Sequence, residues 1–305
     1  MHTAAQAQIP NEISSQLPVS ALFVAPEATP VAASAATPSP IPEVGLPGAR
    51  ANSADALKRA FAMPPASATQ SPQIVCRAPP EFTHFDHPLV HTMRRLAAGK
   101  PLTIVAIGSS STAGAGATSH AASYPNQLAA TLNARFPDQA ITVLNRGVNG
   151  EETDDMMARF ATDVIAAQPQ LVLWQVGTNS VLRDHSLDTH AAELHKGIEE
   201  LKATGADIVL IDPQYAPKVL AKSEAPGMVE QIALAAKEEN IDLFRRFAVM
   251  RDWYTVQHLG FDVFVSPDKL HMNDWGYGCW AKLIGAAIAD AATRPITSAA
   301  AHSAH

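Results

Sequence analysis

Two short stretches far apart in the chain hold side chains that could do nucleophilic chemistry together. Gly108–Gly114, GSSSTAG, ends an apolar run and presents consecutive serine hydroxyls in a glycine-flanked turn. Pro267–Asn273, PDKLHMN, sets Asp268 one helical-turn spacing before His271, just ahead of the last helical pattern. A serine hydroxyl is a weak nucleophile until a base takes its proton and a carboxylate holds that base in the right tautomer. Ser110, His271 and Asp268 can supply those parts, and together they point to a serine hydrolase. Each stretch also has an ordinary structural use. Serines cap helices, and Asp268 after Pro267 could make a turn leading to a helix N-cap at Asn273.

The elements around these stretches decide whether the side chains can meet. From residue 102 onward, short apolar runs rich in β-branched residues alternate with amphipathic ones. LTIVAIG (102–108), ITVLNR (141–146), LVLWQVG (171–177), DIVLIDP (207–213) and IDLFRRF (241–247) read as strands. The first four are apolar on both faces, as in a parallel sheet covered on both sides. Between them lie the helical patterns YPNQLAATLNARF, TDDMMARFATDVIAA, THAAELHKGIEELKATG and PGMVEQIALAAKEEN, and NDWGYGCWAKLIGAAIADAA closes the run. Gly205 and Asn240 mark helix stops and Pro226 a helix start. This order predicts a three-layer α/β/α domain around a doubly wound, mostly parallel sheet of about five strands. Ligands of such sheets sit beyond the carboxyl ends of the strands, where the chemistry-bearing stretches fall.

Two further stretches follow strands in the same way: NRGVNGE (145–151) and GTNS (177–180). With GSSSTAG and PDKLHMN they form four blocks in order, and over roughly residues 100–292 the chain resembles the SGNH hydrolases, the GDSL-type esterase superfamily. The resemblance implies a flavodoxin-like fold and a nucleophile at Ser110, with Ser109 and Ser111 standing where the family has aspartate and leucine. Without it, Ser109, Ser110 and Ser111 differ only in register. It implies Asp268 and His271 as the Asp-x-x-His pair, in which the carboxylate accepts from Nδ1 and Nε2 faces the serine. It also implies an oxyanion hole from the N–H of Ser110, the N–H of Gly150 and the side-chain amide of Asn179. Gly147 is the runner-up to Gly150, and Ser180 replaces an aspartate common in the family. No metal or organic cofactor is implied.

Other features bound the partners. The net charge is −7 with no dense basic patch, which argues against nucleic acid as the main partner. No apolar stretch reaches the roughly 18 residues of a membrane span. Residues 1–80 hold 13 of the 23 prolines and only Phe23 and Phe61 as aromatics. So little large apolar surface does not offset ordering entropy, and the expected organisation is a largely disordered segment 1–78, a hydrolase domain 79–293 and a tail 294–305. Leu57–Phe61 is a helix-like exception. No standard secretory signal is visible, yet the Ala/Pro-rich lead looks like an exported linker, so export is the expectation. Cys76 and Cys279 bracket the domain, either as two separate thiols or as a bridge stapling its first segment to its last helix. His84, Asp86, His87 and His91 in HFDHPLVH suggest a metal site by type, but they precede the first strand and Pro88 disturbs the local geometry. His190 and His195 read as surface residues.

Trp174, Gln175, Gln214 and Tyr215, near the ends of the third and fourth strands, are candidates for lining a substrate cleft; Trp174 could equally pack in the core. Polar and aromatic groups there suit a sugar or polar alcohol better than a long acyl chain. The expected activity is hydrolysis of short-chain carboxylic esters, carbohydrate O-acetyl esters among them, through an acyl-Ser110 intermediate. The same triad would serve an O-acyltransferase, or a long-chain lipase or thioesterase. The fold would also serve a glycan-binding module without turnover.

Overall fold

Alternation of large apolar residues along each strand feeds two separate cores, and this divides the molecule into three layers. The computed structural model describes residues 74–295. Expectations for residues 1–73 and 296–305, including the Leu57–Phe61 patch, lie outside them. The strands are β1 (Leu102–Gly108), β2 (Ile141–Gly147), β3 (Leu171–Gln175), β4 (Asp207–Ile211) and β5 (Asp242–Phe244). They form one sheet of order β2-β1-β3-β4-β5 with every neighbouring pair parallel. This is the doubly wound order in which the chain reverses direction beside β1. On one face, Ile104, Ala106, Leu171, Leu173, Val209 and Ile211 meet Leu128, Trp280 and Ile284. On the other, Val105, Ile107, Val172, Trp174, Ile208 and Leu210 meet Leu194, Ile198, Met228 and Ile232. Burial on both faces explains the unbroken apolar runs of β1, β3 and β4; β2 does not share it, because it lies at the sheet edge with Thr142 exposed and its last four residues half-buried.

The helices that position the site are α1 (Val90–Ala97), α2 (Ser110–Ala113), α3 (Tyr124–Arg135), α4 (Thr153–Ala158), α5 (Thr178–Leu182), α6 (Leu187–Lys202), α7 (Ala225–Glu238), α8 (Arg246–Thr255) and α9 (Asp274–Thr293). Helix α6 starts two residues before the THAAELH pattern because the Ser186 hydroxyl caps it, accepting from the Thr189 N–H. Gly205 and Asn240 stand past helix ends at φ +74° and +51°, as their types predict. Asn273 caps α9, its side chain accepting from the Gly276 N–H at 3.0 Å.

Three expectations are corrected. IDLFRRF is a strand only through Phe244; α8 then begins, because the Asp212 carboxylate accepts the Phe247 N–H at 2.8 Å and the Asp212 carbonyl accepts from Arg246 Nε at 2.9 Å. TDDMMARFATDVIAA is not one helix: α4 ends at Ala158, followed by separate turns at Phe160–Asp163 and Ile165–Ala167. His190 is not a surface residue; it is 1% exposed, pairs with Gln231 at 2.9 Å, and burial pushes its pKa down.

Cys76 and Cys279 are joined in a disulfide that ties the first described segment to α9. The same segment is held by the Trp253 indole N–H, which donates to the Arg77 carbonyl at 2.8 Å. The HFDHPLVH segment runs past the amino ends of β5 and β4, where Asp242 accepts the N–H groups of Asp86 and His87 and Asp207 accepts that of His91. That is the pole of the sheet opposite the strand ends discussed below. Among the described residues no helix is long and apolar enough to cross a membrane.

Candidate active site

Strand β1 delivers its last residue into a space with no room for a side chain. A Cβ on Gly108 would lie 2.2 Å from Thr112 Oγ1 and 2.9 Å from Gln175 Oε1. The chain turns there, and Gln175 Oε1 accepts from the Ser109 N–H, the Ser109 hydroxyl and the Thr112 hydroxyl at 3.1, 3.3 and 3.2 Å. Ser109 and Ser111 are each 2% exposed and face inward. Ser110, between them, opens α2 and carries its hydroxyl to His271. Its N–H, at the first position of a helix, has no intrahelical partner.

The second part is the loop that precedes α9. Val265 and Met272 pair across it as an isolated antiparallel bridge, and the Ser266 N–H donates to the His271 carbonyl at 2.8 Å. Inside this closed loop Asp268 Oδ1 accepts from the Ser266 hydroxyl at 2.6 Å and from the N–H groups of Leu270 and His271 at 2.9 Å each. Its other oxygen, Oδ2, lies 2.5 Å from His271 Nδ1, and His271 Nε2 lies 2.7 Å from Ser110 Oγ. Partial burial works to raise the Asp268 pKa. The bonds from Ser266, His271 and the two backbone N–H groups outweigh it and hold the carboxyl well below its usual range. Gly116, at φ +87°, lets the backbone pass behind the imidazole, since a Cβ would come 2.8 Å from that of His271.

Two loops flank the serine. Gly147 presses on α2 so closely that a Cβ would lie 2.0 Å from the Ala113 nitrogen, and its own N–H donates to Asn145 Oδ1 at 2.9 Å. Val148 N–H then donates to the Gly108 carbonyl at 3.0 Å, which ties the loop after β2 to the serine turn. Gly150 follows at φ +83°, a conformation few other residues adopt. Asn179 lies in the first turn of α5 and donates one amide hydrogen to the Glu151 carbonyl at 2.7 Å, leaving the second to point elsewhere. The loops carrying Gly150 and Asn179 thus touch each other, and the first is also tied to the serine turn.

The cleft candidates fare differently. Trp174 is fully buried; its ring packs edge-on to Phe160 and so near Gly197 that a Cβ there would lie 2.2 Å away. Gln175 and Gln214 are each 1% exposed and belong to the scaffold. Gln214 accepts from the Thr178 hydroxyl and Arg246 Nη2 at 3.0 Å each and donates to the Leu270 carbonyl at 3.3 Å. It therefore links α5, α8 and the histidine loop. Only Tyr215 is partly open, in an aromatic cluster with Phe247, Tyr254 and Phe261.

Sequence reading missed the residues that brace the loops. Arg159 donates to Glu151 and Asp163 and reaches the carbonyls of Arg146 at 2.8 Å and Gly108 at 3.3 Å. Arg183 binds Glu152 and the Gly150 carbonyl. Charged residues on amphipathic helices read as solvent-facing, so nothing in the pattern singled these two out.

Comparison with known proteins agrees with this architecture. An acetylxylan esterase of Geobacillus stearothermophilus is 37% identical over 79 residues, which are 26% of this chain and 36% of that protein. A two-domain esterase active on acetylated mannans superposes with a TM-score of 0.61 at 16% identity, over 72% of this chain and 58% of its own. The acetylxylan esterase Axe2 of Geobacillus stearothermophilus superposes with a TM-score of 0.51 at 22% identity, over 61% of this chain and 94% of its own. At those identities the likeness of the two structures is one of fold. The family model that matches, over residues 75–294, is that of the Non-GDSL lipase-like family. Since the match runs from just before Cys76 to the end of α9, the chain belongs to the Non-GDSL lipase-like family.

Proposed function

We propose that the domain spanning residues 79–293 is a serine esterase that removes short acyl groups, acetyl above all, from carbohydrate esters. The observation that carries this reading is the unbroken line from Asp268 Oδ2 to His271 Nδ1 and from His271 Nε2 to Ser110 Oγ. Each contact is within hydrogen-bond reach, and the Asp268 carboxylate stays ionised over the working pH range.

In the first half-reaction the Ser110 hydroxyl gives its proton to His271 Nε2 while Oγ bonds to the ester carbonyl carbon. The carbonyl oxygen becomes an oxyanion and accepts from the N–H of Ser110, the N–H of Gly150 and the free amide hydrogen of Asn179. Gly147 is the weaker alternative to Gly150, since its N–H is taken by Asn145. Collapse of the intermediate breaks the ester C–O bond, and His271 returns the proton to the leaving alcohol. In the second half-reaction water gives a proton to His271 and attacks the acyl-Ser110 carbon. The carboxylic acid leaves and Ser110 recovers its proton. No step needs a cofactor.

The acetylated-carbohydrate substrate is supported by the activities of the relatives named above, and by their kind of fold. An oxidising compartment is supported by the Cys76–Cys279 bridge, since such bonds form outside the reducing cytosol. Export of the enzyme to where polysaccharides are met follows from the same reading.

The test is hydrolysis of p-nitrophenyl acetate, butyrate and octanoate, together with acetate release from acetylated xylan and glucomannan, by wild type and Ser110→Ala. Turnover by wild type, fastest on acetate and lost in the folded Ser110→Ala, is the expected result. Activity that survives Ser110→Ala but not Ser111→Ala would overturn the choice of nucleophile. Preference for octanoate would overturn the substrate class.

A further inference from the structure

The loop that carries Gly150 is pinned residue by residue from one side. Arg183, directly after α5 and one turn beyond Asn179, donates through Nη2 to the Gly150 carbonyl at 2.8 Å and through Nη1 to Glu152 Oε1 at 2.5 Å. The carbonyl between those two contacts, that of Glu151, accepts from Asn179 at 2.7 Å. Glu152 is a fixed anchor: it caps α4 reciprocally with Asp155, it is 9% exposed, and His185 Nδ1 lies 2.6 Å from its second oxygen. Gly150 itself is otherwise unsupported. Within 4 Å of where its Cβ would be, the single neighbouring atom outside the adjacent residues is Arg183 Nη2, at 3.7 Å. With open space on the Cβ side of a glycine at φ +83°, the bonds from Arg183 and Asn179 to its own and the next carbonyl are the contacts that hold its angles.

We infer that Arg183 is a positioning residue for the oxyanion hole, holding the Gly150 carbonyl so that the N–H on the other side of the same Cα faces the Ser110 turn. This rests on the esterase reading and deepens it. The fork geometry matters. One guanidinium spans a carbonyl and a carboxylate at once, which an ammonium on a flexible stem does not. Because Arg183 caps the helix that supplies Asn179, its N–H donating to the Asn179 carbonyl at 2.9 Å, the two donors contributed by separate loops are set against each other by one turn. Arg183 is half-exposed, so its removal opens no core cavity.

The test uses the full chain with Arg183→Met and Arg183→Ala beside wild type and Ser110→Ala. Bonds lost only in the transition state lower kcat, so Arg183→Met should lose roughly 10- to 100-fold in kcat with KM within about twofold. Binding of a boronic acid, whose tetrahedral adduct with serine places an oxygen in the hole, should weaken by the same factor. Millimolar guanidinium should restore part of the Arg183→Ala rate, and an equal concentration of sodium chloride should not. Amide hydrogen exchange at Gly150 and Glu151, read by NMR without any substrate, should speed up in Arg183→Met while exchange in β1 does not. A rise in KM at unchanged kcat would make Arg183 a substrate contact and overturn the inference, as would unchanged exchange at Gly150. Wild type that hydrolyses no ester would instead sink the esterase reading, and the exchange measurement would still decide the clamp.

Discussion

Replacing Asp268 by asparagine should be worse for catalysis than replacing it by alanine, and the reason lies in how its two oxygens are used. Oδ1 accepts three donors, two of them backbone N–H groups that cannot reverse their polarity. An asparagine must therefore put its carbonyl oxygen at the Oδ1 position and its NH2 at the Oδ2 position, against His271 Nδ1. Nδ1 then has to accept, the imidazole proton moves to Nε2, and Nε2–H faces a Ser110 hydroxyl it was meant to deprotonate. Holding the wrong tautomer costs about four decades in kcat, or ~5.5 kcal/mol of barrier. Alanine imposes no tautomer; it removes the orienting charge but leaves His271 able to accept, so a loss of about two to three decades is expected. Stability should rank the other way. Alanine abandons the three donors at Oδ1, worth about 2 kcal/mol after allowing for solvent access, and should lower Tm by ~4–8 °C. Asparagine keeps them and should melt near wild type. Steady-state rates on p-nitrophenyl acetate and thermal melts of the three proteins decide the matter. An Asp268→Asn enzyme that kept more than a tenth of wild-type kcat, or that outperformed Asp268→Ala, would refute the tautomer argument.

Two other perturbations probe the scaffold. Cutting the disulfide, by Cys76→Ser or by reduction, frees a loop with a sequence separation of 203 residues. Its entropy corresponds to at most about 5 kcal/mol, so Tm should fall by up to ~10–20 °C with kcat at 25 °C within about twofold; an unchanged Tm would show that the bridge contributes nothing. Asp212 is fully buried, and burial pushes its carboxyl up to about 7 despite the Phe247 N–H and nearby Arg246. Its folded pKa lies above the unfolded value, so the native state binds the extra proton and stability falls as pH rises from about 4 to 7. Asp212→Asn, which still accepts the Phe247 N–H, should therefore gain on wild type across that window in urea titrations. A difference independent of pH would remove this account.

What could be read from the chain and what could not separate along a physical line. Strands β1, β3 and β4 announce themselves because burial on both faces demands unbroken apolar runs, edge strand β2 by its Ile-Thr-Val run, and the positions of the first three blocks follow from where these strands end. The Ser110, Asp268 and His271 contacts were accessible for the same reason: each sits at a turn whose glycine, proline or cap residue is visible locally, and the strand order does the rest. Trp174, Gln175 and Gln214 differ because a position near a strand end does not by itself mean exposure. The sheet's carboxyl edge has depth, and the polar groups in its lower tier face one another rather than a ligand. Gln175 is legible only once the missing side chain at Gly108 is understood, since the space that glycine leaves is where Oε1 reaches the serine turn. Arg246 is the extreme case. Its charge marks it for the surface in any pattern of periodicity, yet it is 1% exposed, lies over the Trp280 ring at 4.9 Å and donates to Gln214 and the Asp212 carbonyl. Such groups obey satisfaction of hydrogen bonds, a constraint set by partners distant in sequence, and not the hydrophobic period set by neighbours. A sequence therefore shows the contacting residues of a candidate site like this one sooner than the residues that hold them, and those supports are where substitutions should reveal effects that no motif foretells.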